Sequence, residues 1–179
     1  MTRSLKSQRT KHKTQGSPYS LVFKVKGENE WGAATGTLTL YYHGRAMHAS
    51  EVFSGGLRHP DRYPQIPNET YRLHLEIRGH LSSEAQLVPI PGQPGYSKAH
   101  EFYGIEQVDL AAAQYEWGHY RVHLNEPRQH MPQAYTGNFL HGKLRPNDYT
   151  HGCICERTEV ILMALWKLPP QVISLKVVR

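Results

Sequence analysis

The chain has 179 residues, 39% of them hydrophobic and 20% charged, which fits one domain with an ordinary core and excludes a disordered or fibrous protein. Its net charge of +6 is not a nucleic-acid signature, because residues 1–18 hold Arg3, Lys6, Arg9, Lys11 and Lys13 with no acid and so account for most of it. No stretch approaches the roughly 20 apolar residues that span a bilayer, and two cysteines one residue apart make no disulfide framework.

The basic stretch 1–18 reads as a solvated, disordered tail, and residues 19–179 as the folded domain. The tail has Leu5 as its only large aliphatic, so it lacks the apolar centre of a secretory signal. With 11 Tyr, 15 Gly and 12 Pro, the composition leans to strands and turns, and a mainly β fold with one or two short helices is expected.

Tyr19 to Val25 is a short run of strand formers. Thr35 to Tyr42 alternates at period two, and His43-Gly44-Arg45 reads as a hairpin turn into Ala46 to Phe53, so residues 19–53 are expected to form a three-stranded meander. Ser54-Gly55-Gly56 breaks it, and residues 57–68 read as a loop. From Thr70 to Arg78, Tyr71, Leu73, Leu75 and Ile77 share one face, the clearest strand pattern in the chain. Residues 79–101, broken by Pro and Gly, read as a surface insertion. Asp109 to Tyr115 is compatible with one helical turn, and His119 to Leu124 alternates again. A proline-bearing loop over 125–137 leads to a buried strand ending at His141.

The stretch Asn138 to Arg157 carries the chemistry. It holds both cysteines, and His141-Gly142 followed by Thr150-His151-Gly152-Cys153 has the layout of a Cys-His nucleophile pair. A thiol attacks as thiolate, and a neighbouring imidazole lowers the cost of making one. Gly152 leaves the backbone amides of Gly152 and Cys153 open to a substrate carbonyl. Thr150 is a candidate for a hydrogen bond inside the cysteine loop and Tyr149 for a pocket wall, while His151 is open to being the base or a pocket residue. Cys155 points the same way as Cys153 in an extended segment and reads as core filler near the site. Thr158 is the expected N-cap of an apolar helix over Val160 to Leu168, and a helix starting there would set its positive end near Cys153. Gln171 to Arg179 alternates and is expected to close the sheet.

These residues resemble the signature of the L,D-transpeptidases: a His, a spacer, then Ser or Thr, His, Gly, Cys and an apolar residue, here His141-Gly142 and Thr150-His151-Gly152-Cys153-Ile154. The short spacer is most similar to that of the type VI secretion L,D-transpeptidase effectors. Phe53-Ser54-Gly55-Gly56 and Ile66-Pro67-Asn68-Glu69-Thr70-Tyr71 also resemble that group. Housekeeping members usually have a longer spacer and an arginine two residues after the cysteine, where this chain has Cys155 and then Arg157.

The resemblance implies an L,D-transpeptidase-like β-sheet or sandwich domain with Cys153 as nucleophile and His141 as base. It further implies the Gly142 carbonyl as the group orienting His141, His151 as a motif residue shaping the pocket, and an oxyanion hole at the Gly152 and Cys153 amides. Thr150, Tyr149 and Arg157 are the substrate-side residues. It implies no cofactor and a peptidoglycan tetrapeptide stem as substrate. The stem is trimmed as by an L,D-carboxypeptidase or has its D-amino acid exchanged as by an L,D-transpeptidase. It also implies an antibacterial toxin made in the cytoplasm and acting in the periplasm of a target bacterium, with a secretion-apparatus component and an immunity protein as partners. Two competing readings are a structural zinc held by His141, His151, Cys153 and Cys155, and a non-catalytic binder of cell-wall peptides.

Overall fold

The computed structural model describes residues 16–57, 63–89, 92, 97–100, 102–125 and 138–179. Most of the expected tail and of the 125–137 loop lies outside these residues. No helix among them is long and apolar enough to cross a membrane.

The protein is mainly β. Three antiparallel strands open it, β1 (Tyr19–Glu28), β2 (Ala34–Tyr42) and β3 (Arg45–Ser54), as the alternation predicts. The turn between β2 and β3 puts His43 at φ 48° and Gly44 at φ 76°, the paired left-handed residues of a hairpin whose twist matches its strands. Next come β4 (Thr70–His74), β5 (Arg78–Leu81), β6 (Leu87–Pro89), β7 (Ser97–Ala99) and β8 (Ile105–Val108). They are followed by helix α1 (Ala111–Trp117), β9 (Tyr120–His123), β10 (Phe139–His141), β11 (Ile154–Glu156), helix α2 (Val160–Lys167) and β12 (Val172–Val178). The main sheet runs β4-β12-β1-β2-β3-β11-β10-β9-β8-β5, while β6 and β7 pair separately. The sheet curls until Arg72 of β4 bridges Asn125, just past β9.

The curl wraps one apolar core. Leu21, Phe23, Leu38, Tyr71, Leu73, Val122, Leu140, Ile154, Ile173 and Leu175 point inward, with Ile161, Leu162 and Leu165 of α2 packed among them.

Three local expectations are corrected. The strand expected over Thr70–Arg78 ends at His74. Leu75 is still buried, but the chain turns over the next residues, and Ile77 is 41% exposed. The 79–101 insertion begins inside the main sheet, since β5 pairs in parallel with β8 and Leu81 is buried beside Val108 and Ala113. The cap of α2 is not Thr158: Glu159 stands there in the left-handed region at φ 52° with no side-chain cap bond. The buried carboxylate of Glu156 instead accepts the Ile161 and Leu162 N–H groups at 2.8 and 3.0 Å.

Candidate active site

The site is built on one face of neighbouring strands. β9 and β10 are antiparallel with Leu140 opposite Val122 and His141 opposite Arg121, while β10 and β11 are parallel with Leu140 beside Ile154 and His141 beside Cys155. Leu140, Val122 and Ile154 enter the core, so period two sends Phe139, His141, Arg121, His123 and Cys155 to the opposite face. Cys153, just before β11, is brought to the same place: its Sγ accepts the Phe139 N–H at 3.4 Å. His141 sits two positions along that strand, making thiol and imidazole diagonal neighbours on adjacent strands.

The imidazole of His141 is locked. Its Nδ1 is hydrogen-bonded to the Gly142 carbonyl, so Nδ1 carries the proton and Nε2 the lone pair. The indole of Trp117 stands edge-on to the ring at 5.1 Å. His141 is buried, and that burial, with the Lys143 and Arg121 charges, pushes it down to about 3. Burial likewise pushes the Cys153 thiol up to about 11, opposed by the Phe139 amide, Lys143 and Arg121. The resting pair is therefore a neutral thiol beside a neutral imidazole, not an ion pair.

Gly142 is held from behind. A Cβ built on it would stand 1.7 Å from Glu159 Oε1, so only glycine fits between His141 and that carboxylate. Glu159 Oε1 accepts the His119 and Tyr120 N–H groups at 2.7 and 3.3 Å, and its other oxygen pairs with His119 Nδ1 at 2.7 Å. The residue in the N-cap place of α2 thus fixes the start of β9 and the end of β10 together.

The cysteine loop is fastened to β3. Thr150 is buried; its N–H donates to the Gly55 carbonyl at 3.0 Å, and its hydroxyl accepts the Gly55 N–H at 2.9 Å and the Gly152 N–H at 3.3 Å while donating to the Cys153 carbonyl at 2.7 Å. Ser54 accepts the Ile66 N–H at 2.9 Å and donates to the Gly152 carbonyl at 3.4 Å. Gly152 has φ 110°, and a Cβ there would meet Asn138 Oδ1 at 2.8 Å. The Gly152 amide is thus turned to Thr150, within the loop.

Two cations floor the site. Arg121 is buried with its guanidinium 4.8 and 5.0 Å from the Trp117 and Phe139 ring centroids. It pairs with the buried Glu106 at 2.6 Å, and Glu106 in turn meets His100 Nε2 at 3.0 Å. Lys143 is buried, donates to the Tyr149 carbonyl at 2.8 Å, and has its ammonium pushed down chiefly by that burial.

The remaining sequence candidates lie farther out. His151 is exposed with its ring 4.5 Å from that of Tyr63, so His141 is the histidine built into the sheet beside Cys153. The Tyr149 hydroxyl accepts from Arg145 at 2.9 Å, and its ring stands 5.8 Å from those of Trp31 and Tyr63. The Arg157 guanidinium is engaged by the 145–148 loop, donating to the Arg145 and Asn147 carbonyls at 2.8 and 2.7 Å and to Asp148 at 2.7 Å. Cys155 is fully buried against Ala33 and Phe53, with its thiol pushed up to about 12 by burial.

His141, His151, Cys153 and Cys155 do not converge as a zinc site, and among the described residues no group of three or more His, Cys, Asp or Glu is placed to hold a metal. Nor does the positive end of α2 reach Cys153. It lies on the core side of the sheet and is occupied by Glu156. Glu106, Arg121, Trp117 and Glu159 join the site with no motif to announce them, being brought in by strand pairing and packing. Comparison of the chain with protein-family models, curated proteins and solved structures found no match.

Proposed function

We propose that the protein is a cysteine-dependent acyl transferase, and more particularly that it acts on peptidoglycan tetrapeptide stems as an L,D-carboxypeptidase or D-amino-acid exchanger. The observation that carries the reading is the His141 lock: with Nδ1 held by the Gly142 carbonyl, Nε2 is the basic nitrogen on the face that holds Cys153. The choice of substrate rests on the resemblance of His141-Gly142 and Thr150-His151-Gly152-Cys153 to the L,D-transpeptidase signature. The same resemblance supports delivery as an antibacterial effector to a target periplasm, with a secretion component and an immunity protein as partners.

A neutral pair works by general-base catalysis. As Sγ of Cys153 attacks the carbonyl at the L-centre of the stem's diamino acid, Nε2 of His141 takes the thiol proton. The electron pair of the carbonyl moves onto its oxygen. Because the Gly152 amide is turned to Thr150, the Cys153 amide is the loop's donor to that oxyanion, with Lys143 and Arg121 supplying positive potential. Collapse breaks the C–N bond, and the imidazolium returns its proton to the leaving D-amino acid nitrogen. Water then attacks the thioester to give a trimmed tripeptide, or an amine attacks it to give an exchanged or cross-linked stem; either regenerates the thiol.

The test is digestion of purified disaccharide-tetrapeptide by the wild type, Cys153→Ala and His141→Ala, read by mass spectrometry with and without an added D-amino acid. Loss or exchange of the terminal residue by the wild type alone is the expected result. An unchanged substrate in all samples, with folded protein, would overturn the reading.

A further inference from the structure

Beside the cysteine loop stands a large aromatic side chain with no work in the core. Trp31 is 38% exposed, so part of its indole faces solvent. Its turn is nevertheless rigidly built. Asn29 Oδ1 accepts both the Trp31 and the Ala33 N–H at 3.0 Å, and the Gly32 N–H donates to the Asn29 carbonyl at 2.9 Å. Asn29 Nδ2 then bolts the turn to the cysteine loop by donating to the Asp148 carbonyl at 2.8 Å. The turn that carries the ring is therefore tied to the loop that leads to Cys153.

From Trp31 a row of rings runs to His151 in the cysteine loop. The Trp31 and Tyr149 centroids are 5.8 Å apart, Tyr149 and Tyr63 are 5.8 Å apart, and Tyr63 and His151 are 4.5 Å apart. Planar polar groups flank the Trp31 end. Gln65 donates to the carbonyl of Gly32 at 3.1 Å and to the exposed carboxylate of Glu28 at 2.6 Å. An aromatic face bordered by an amide and a carboxylate suits a ligand with a flat C–H-bearing surface and a rim of hydroxyls. At the row Arg145 is paired with Glu116, and Lys143, 5.3 Å from the Tyr149 ring, is buried and donates to the Tyr149 carbonyl.

We propose that Trp31, backed by Tyr149 and bordered by Gln65 and Glu28, is a saccharide subsite that takes an N-acetylhexosamine of the glycan strand to which the stem is attached. The inference rests on the proposed action at peptidoglycan and adds to it that the sugar, not only the peptide, is recognised. The indole stacks on the pyranose ring, and the sugar hydroxyls donate to the exposed Glu28 carboxylate, which Gln65 holds in place while its own oxygen accepts from Arg179 at 2.9 Å. The row Trp31-Tyr149-Tyr63-His151 runs from sugar to scissile bond.

The test reads binding without turnover. The full chain carrying Cys153→Ala is titrated by calorimetry with glycan strands stripped of their stem peptides, alongside the same protein with Trp31→Ala or Trp31→Phe added. Saturable binding is expected, weakened about tenfold or more by Trp31→Ala, as for a central aromatic contact, and less by Trp31→Phe. No binding of stem-free glycan, or equal binding with and without the indole, would overturn the subsite.

With the active enzyme, the ratio of kcat/KM for disaccharide-tetrapeptide to that for free tetrapeptide should fall about tenfold in Trp31→Ala. An equal loss on both substrates would assign the ring to the peptide and overturn the proposal. Failure of the two readings is distinguishable. Turnover of free tetrapeptide without glycan binding removes the subsite alone, while glycan binding without turnover upholds the subsite and removes acyl transfer.

Discussion

Acidification isolates the environment of His141, because its partner in the unfolded chain is water and in the native protein a dry sheet face. The imidazole titrates near 6.5 when free and only at about 3 when folded. Below 6.5 the unfolded chain binds a proton that the native protein refuses, so the native state loses stability as pH falls; the loss runs through the window from 6.5 to about 3. The slope approaches about 1.4 kcal/mol per pH unit once the unfolded imidazole is charged, so moving from pH 7.5 to 4.5 should remove about 2.7 kcal/mol through this residue alone. That is a large share of the roughly 5–15 kcal/mol a domain possesses.

The comparison is with His141→Gln, which keeps an amide donor for the Gly142 carbonyl and does not titrate. Urea unfolding of both proteins in pH steps between about 7.5 and 4.5 gives a difference in which every other group cancels. The wild type should lose stability faster than the variant by that amount. A difference that stays constant within about 0.5 kcal/mol would mean that His141 is solvated and titrates normally. The neutral resting pair, and general-base catalysis with it, would then fall.

The raised Cys153 thiol predicts slow alkylation of the native protein by iodoacetamide at pH 7, with a rate that climbs towards about 11, and no labelling of Cys155 until unfolding; fast labelling with a plateau near neutrality would indicate an ion pair. Arg121→Met should cost about 3–5 kcal/mol in urea unfolding, because it leaves Glu106 buried without its partner, and Arg121→Met with Glu106→Leu should recover most of that. Glu156→Ala should cost about 1–2 kcal/mol by uncapping α2, with the Cys153 alkylation rate unchanged because the cap lies on the other face of the sheet. Gly142→Ala places a methyl against Glu159 and pushes the carbonyl off His141, so kcat should fall about 100-fold or more while the far-ultraviolet circular dichroism is retained.

The parts legible in the sequence are those in which the signal is local. β2 shows its period because it has one wet face, and the closing strand reads in the same way, while β3, exposed at every residue from Arg45 to Ala49, is legible through the hairpin turn before it. The alternation from Thr70 to Arg78 misleads because period two continues through a turn, so that Ile77 repeats the pattern without the burial. β5, β8 and β11 have four, four and three residues, too few for a period to be recognised, and parallel pairing leaves no turn to mark their partners. The cap of α2 escapes because Thr158 is chemically suited to the role, whereas Glu156 reaches it only from a strand. Cys153, His141, Gly142 and Thr150 stand out because loop and strand end are adjacent in the chain. Arg121 arrives by register with His141, and Glu106 by register with Arg121.

That nonlocal half governs how the proposed chemistry is regulated by its surroundings. The burial that keeps the thiol protonated and the imidazole neutral also strengthens every charge–charge term once the pair ionises. Proton transfer from Sγ to Nε2 creates both charges at once, so the site need stabilise a dipole and then an oxyanion, never an isolated charge. Arg121 is suited to that role because Glu106 already balances it at rest: its field is fixed in place by Trp117 and Phe139 and does not have to be assembled during the reaction. Lys143 donates to the Tyr149 carbonyl and stands 5.3 Å from that ring, with no ion pair among the described residues, and its ammonium gains when negative charge develops at Cys153 or on the substrate oxygen. On the proposed reaction the two cations thus divide the work, Arg121 setting the resting potential of the floor and Lys143 answering the charge that appears upon it.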